Sequence, residues 1–204
     1  MDLTELREIA ANKPPELADL SDTLVFGDGA PDADLMLIGE APGADEDAAG
    51  EPFVGRAGQL LDQILLSVGL DRHQLWITNI VKFRPPGNRN PTPAEIQASE
   101  AVLLEEIRLV NPQIIAPLGN VPTQFLLGTR EGITKLRGTW AEFRGIRVMP
   151  LYHPAYLLRN PSRTQGSPKW QMWQDMQALS DALAEAGPKS RRSQVSSARQ
   201  EGLF

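Results

Sequence analysis

Residues 35–58 read LMLIGEAPGADEDAAGEPFVGRAG, and the first four of them decide the fold. Leu35, Met36, Leu37 and Ile38 are apolar without alternation, the pattern of a strand buried on both faces, and such strands belong to parallel sheets covered by helices. Gly39 stops the run and opens a loop in which Gly43, Gly50, Gly55 and Gly58 follow, so the backbone can approach a ligand closely. Among these glycines stand Glu40, Asp45, Glu46 and Asp47. No Gly-Lys-Ser/Thr follows, which excludes a phosphate loop, and the carboxylate spacing matches no calcium loop.

The same unit recurs outward from this stretch. GQLLDQILLSV (58–68) has helical apolar spacing, LWITNIV (75–81) is the next strand, and residues 93–110 form an amphipathic helix with Thr92 as its cap and Glu95 three places on. IIAPLG (114–119) is a third buried strand followed by a short helix near 121–127. A hairpin or loop leads to a last strand at about 146–151, and residues 168–186 make the final helix. Residues 2–11 form a leading helix that Pro14 and Pro15 end. Strands alternating with helices imply right-handed βαβ crossovers and an α/β class: a three-layer α/β/α sandwich around a central, mainly parallel four-stranded sheet. The expected organisation is an N-terminal helix and acidic segment (1–23) packing on a domain of residues 24–186, then a polar tail (187–204). Ligands of such sheets sit beyond the carboxyl ends of the strands, here the loops 39–56, 79–92, 119–121 and 152–167.

Composition narrows the chemistry. The 204 residues contain 26 acidic and 20 basic side chains, two histidines and no cysteine. Disulfides, a thiol nucleophile and thiolate-held metals are therefore excluded. No apolar run is long enough for a membrane span and MDLTELREIA is no signal peptide, so a soluble cytoplasmic protein is expected; it is also expected to be a monomer. The net charge of −6 hides an asymmetry: residues 1–51 carry 14 acids and 2 bases, residues 52–204 carry 12 acids and 18 bases. An acidic, solvated N-terminal face accounts for the first half, and the surplus bases fall in the loops above.

Those loops hold the candidate site. The second strand ends at Asn79 and runs into KFRPPGNRNP, and the last leads into YHPAYLLRNPSR with His153. An amide, a histidine, a carboxylate and the ring of Phe53 thus meet at one sheet edge, flanked by Arg84, Arg89, Arg159 and Arg163. Such a set can read a planar polar base and hold a phosphate backbone.

GEAPG with its following E-D, PFVGRAGQLL, ITNIVKFRPPGNR and HPAYLLRNPSR together resemble the family 4 uracil-DNA glycosylases, over about residues 24–186. The resemblance implies excision of uracil from DNA as the first step of base-excision repair. It implies that Phe53 stacks on the flipped uracil, Asn79 reads its O4 and N3–H edge, and His153 donates to O2 as the bond breaks. Glu40 and Asn88 match positions that shape the pocket and place water or the sugar; Gly39, Ala41 and Glu46 line the uracil. Leu157 and Leu158 are candidate wedges for the vacated stack, with Arg84, Arg89, Arg159 and Arg163 on phosphates.

The chain departs from the family in one respect. Members hold a four-iron, four-sulfur cluster on four cysteines, and the matching positions here are Phe83, Ser99 and, near the N-terminus, Lys13 and Glu16. No iron-sulfur cluster and no metal are expected, with Phe83 filling the vacated space. A related group that traps DNA covalently carries a basic insertion which RPPGNRNP lacks. Gln200, Leu203 and Phe204 in QEGLF resemble the peptide by which bacterial repair proteins dock on the β sliding clamp, and the polar linker before them spans about 19 Å. Two functions remain open at this level: an active, cluster-free glycosylase, or a catalytically silent relative that binds DNA or the clamp.

Overall fold

The structure, a computed structural model, describes residues 1–187. Gln200, Leu203 and Phe204 lie outside the described residues. The strands are β1 (Asp28–Gly29), β2 (Leu35–Gly39), β3 (Trp76–Asn79), β4 (Ile114–Pro117), β5 (Ala141–Phe143) and β6 (Ile146–Val148). The helices are α1 (Leu3–Ala11), α2 (Ala44–Ala49), α3 (Arg56–Ser67), α4 (Pro93–Val110), α5 (Asn120–Leu127), α6 (Ile133–Leu136), α7 (Pro154–Arg159) and α8 (Pro168–Ala186).

The strands form one sheet in the order β1-β3-β2-β4-β6-β5. The four expected strands, β3, β2, β4 and β6, are mutually parallel, and two short antiparallel strands extend the sheet to six at its edges. β5 and β6 make a hairpin whose two turn residues, Arg144 and Gly145, both take positive φ (50° and 83°), the geometry of a tight two-residue loop.

β2 shows why both faces must be covered. Successive strand residues point to opposite faces. Leu35 and Leu37 belong to the core beneath α3, α7 and α8, with Leu61, Leu65, Leu157 and Met172; Met36 and Ile38 join Leu6, Ala10, Leu103 and Ile107 of α1 and α4 on the other side. The N-terminal helix is thus part of the domain's second core. Local chemistry sets the helix ends: Thr92 and Glu95 form a reciprocal capping box with Pro93 at the first turn, and Asn111 closes α4 in the left-handed conformation.

Candidate active site

The chain passes from β2 outward to β3 on one side and to β4 on the other, so the sheet changes direction at the carboxyl end of β2. A cleft of about 650 Å³ opens there, walled by the segments that follow β2, β3, β4 and β6.

Three groups make its floor. Phe53 is buried and held in the left-handed region (φ 56°), which a non-glycine residue adopts only when its surroundings enforce it. The enforcing group is Arg72, which donates to the carbonyl oxygens of Phe53 (2.8 Å) and Pro52 while paired with Asp62 at 3.0 Å. Gly58 completes the fit, since a Cβ there would fall 1.8 Å from the Phe53 carbonyl oxygen. Gly39 is equally constrained: a Cβ would fall 2.2 Å from Asn79 Oδ1 and 2.6 Å from Phe53 Cζ. Glycine at 39 therefore lets the Asn79 amide and the Phe53 ring sit side by side. Gly58→Ala is expected to displace Phe53 and reduce turnover at least tenfold with a smaller effect on folding, checked by comparing steady-state rates with thermal melts.

His153 caps the N-terminus of α7, and its Nδ1 accepts a hydrogen bond from the Ala155 N–H at 3.1 Å. That bond assigns the tautomer: Nδ1 carries a lone pair, so Nε2 carries the proton. Burial first, then the neighbouring Arg159 charge, lower its pKa to about 4, partly opposed by Glu46. The imidazole is neutral at physiological pH, with its ring 5.8 Å from that of Phe53.

The cleft walls are tied from behind. Glu46 accepts from the backbone N–H groups of Gly43 (3.1 Å), Val54 (3.1 Å) and Gly55 (2.8 Å), cinching the Gly-rich loop. Beneath Asn79, the buried Lys82 ammonium donates to the Asn79 carbonyl (2.7 Å) and to Thr78 Oγ1 (2.6 Å) and pairs with buried Glu106. Glu106 also accepts from Thr78 Oγ1 (3.1 Å) and Trp76 Nε1 (3.3 Å). Among the described residues no hydrogen bond occupies the Asn79 side-chain amide, which lines the cleft. Glu40 lines it too, its carboxyl pKa raised by burial.

Residues 26–177 match the model of the uracil DNA glycosylase superfamily. The chain belongs to the uracil-DNA glycosylase superfamily. It is 45% identical over 141 residues to the type-4 uracil-DNA glycosylase of Thermotoga maritima, covering 68% of this chain and 73% of that protein. It is 42% identical over 164 residues to the type-4 enzyme of Sulfurisphaera tokodaii (76% and 74% covered), and 40% identical over 172 residues to that of Pyrobaculum aerophilum (79% and 87% covered).

In this superfamily member the cleft gathers Glu40, Ala41, Glu46, Phe53, Asn79, Asn88, Arg89, His153 and Arg159, with Gly39 directly behind. One expected role needs correction, and the surroundings of the other candidates differ from one another. Leu157, expected as a wedge, is fully buried in the core, because the phase of α7 turns it toward the sheet, whereas Leu158 is half-buried. Arg84 donates to Asn88 Oδ1 (2.7 Å) and lies 3.7 Å from Asp47. Arg89 is held by both oxygens of Glu95 (2.6 and 2.9 Å). Arg163 lines a neighbouring groove and not this cleft. Arg72, Lys82 and Glu106 were not legible as supports, since their partners lie far away in the sequence and no local pattern marks them.

The positions where the family resemblance implies an iron-sulfur cluster do not fit one. Phe83 is 3% exposed and packs in the same apolar cluster as Leu6, Leu17 and Leu20. The Lys13 ammonium lies 5.6 Å from the Phe83 ring centroid and donates to Leu20 O (3.0 Å) and Asp22 Oδ1 (2.6 Å). Ser99 is buried and donates to Glu95 O (2.9 Å), while Glu16 is exposed. None of these is a thiolate, and among the described residues no three His, Cys, Asp or Glu side chains gather as a metal site.

Proposed function

We propose that this chain is a uracil-DNA glycosylase of the type-4 kind that works without an iron-sulfur cluster, hydrolysing the N-glycosidic bond of deoxyuridine flipped out of DNA. The observation that carries the proposal is the convergence of the free Asn79 amide, the Phe53 ring and the neutral His153 Nε2–H on one cleft.

The flipped base stacks on Phe53, and Asn79 donates to O4 and accepts from N3–H. Cytosine presents the opposite pattern at both atoms, leaving two bonds unmade at about 1–3 kcal/mol each. As the C1′–N1 bond breaks, its electron pair moves into the uracil ring and charge grows on O2. A neutral donor aimed at O2 stabilises charge that exists mainly in the transition state. The developing sugar cation takes a hydroxyl from water, which leaves a proton for the uracil anion; Glu40 supplies the negative charge on that side. Arg159 takes a phosphate in this reading, which its position on the cleft lining and its lack of an ion-pair partner among the described residues support.

Incubation with a single-uracil oligonucleotide followed by alkali should cut the strand at the uracil, and cytosine at the same position should be spared. An intact uracil strand would refute the proposal. Docking of residues 200–204 on the β clamp rests on the sequence of QEGLF: deleting them should abolish clamp binding and leave excision from short oligonucleotides unchanged.

A further inference from the structure

α3 is a wall shared by two clefts. Ala57, on its first turn, lines the cleft already described, while Leu60 and Ile64, one and two turns on, line a second groove of about 400 Å³. The chain leaving α7 repeats the relation, with Arg159 on the first cleft and Arg163 on the second. The far wall of the groove is the start of α8: Lys169, Trp170 and Trp173.

The chemistry of this groove is unusual for a surface whose only task is to be wetted. Trp173 is 46% exposed, although indole is among the more costly side chains to leave in water. Arg163 and Lys169 form no ion pair among the described residues, and no acidic side chain lines the groove, in a chain whose formal charge is −6. The exposed Trp173 indole and the half-buried Trp170 beside unpaired cations match the needs of an unpaired nucleic-acid strand: bases stack on aromatic rings while phosphates meet the cations.

We propose that this groove holds the DNA strand flanking the deoxyuridine, its unpaired bases on Trp170 and Trp173 and its phosphates on Arg163 and Lys169. The proposal rests on the glycosylase reading only for the identity of the strand. The shared α3 wall brings the groove next to the base pocket, so one strand can occupy both.

The test measures binding of single-stranded oligonucleotides that contain thymine in place of uracil, by quenching of tryptophan fluorescence, alongside uracil release from a trinucleotide with central deoxyuridine and from a long strand. Wild type is expected to bind the long strand far more tightly than the trinucleotide. Trp173→Ala should weaken long-strand binding about tenfold, as loss of one base stack does, and leave trinucleotide excision unchanged. Lys169→Glu, at a half-buried position on the first turn of α8 with no ion pair among the described residues, should weaken it further and flatten the salt dependence, with a thermal melt of the variant checking that the fold is kept. Equal long-strand affinity in wild type and both variants would overturn the proposal, as would a change in self-association by sedimentation without a change in strand affinity. Failure of the glycosylase reading would appear separately, as absence of uracil release with strand binding intact.

Discussion

His153→Ala lowers the rate of uracil release by about 10²–10³-fold, the usual cost of removing one donor to a developing oxyanion, while DNA affinity stays near that of wild type. The split follows from timing: the Nε2–H bond to O2 gains most of its strength as the glycosidic bond breaks, so its loss falls on turnover and little on binding. Single-turnover excision and equilibrium binding measure the two halves. The pH dependence carries a second signature. With a pKa near 4, His153 does not titrate between about pH 5 and 8, so the rate shows no histidine-like inflection there. Below about pH 4 a second proton must enter at Nδ1, facing the Ala155 N–H, and the cap is lost. The same shift links to stability. The folded-state pKa lies below the value of 6.5 for a free histidine, so the unfolded chain binds the extra proton more readily. This contribution is fully present above pH 6.5 and is lost as pH falls toward 4; His153→Ala should flatten that part of the stability profile.

Lys82→Met is expected to destabilise the fold by about 3–5 kcal/mol, because Glu106 then stays buried with its charge uncompensated. For a chain of this size each kcal/mol moves the melting temperature by about 2–4 °C, so the melting temperature should fall by about 6–20 °C. Burial pulls the Lys82 pKa down and Glu106 opposes that pull, so the pair is maintained by mutual contact and not by solvent. The double variant Lys82→Met/Glu106→Leu should recover part of the loss, since replacing both partners removes the stranded charge. Full recovery is not expected, because Trp76 Nε1, Thr78 Oγ1 and the Asn79 carbonyl would each lose a partner. Excision should fall together with stability in the single variant, because the Asn79 carbonyl is anchored by the same ammonium.

The parts of this molecule that were legible in the sequence are those where one physical demand acts on contiguous residues. Leu35 to Ile38 had to be a doubly covered strand, and Thr92, Pro93 and Glu95 had to begin a helix, because each pattern satisfies its demand locally. β1 and β5 were not legible: two or three residues, partly polar and exposed on one side, carry no periodicity. Asn79 and His153 could be placed because the carboxyl ends of strands are where such folds put ligands. Leu157 and Leu158 could not be told apart, since adjacent apolar residues on a helix differ only in phase, and the phase of α7 is set by its contact with α3 and the sheet. The arginines of the cleft rim look alike as charges in a sequence. Only three-dimensional neighbours distinguish Arg84, spent on Asp47 and Asn88, and Arg89, spent on Glu95, from Arg159.

One experiment bears on the whole mechanism at once: identify and quantify the base released from a single-uracil oligonucleotide by protein whose iron content is measured in the same sample. Stoichiometric free uracil, an alkali-labile abasic strand and no iron are expected. Release only from iron-loaded protein, or no release of uracil at all, would contradict a cluster-free glycosylase built on Phe53, Asn79 and His153.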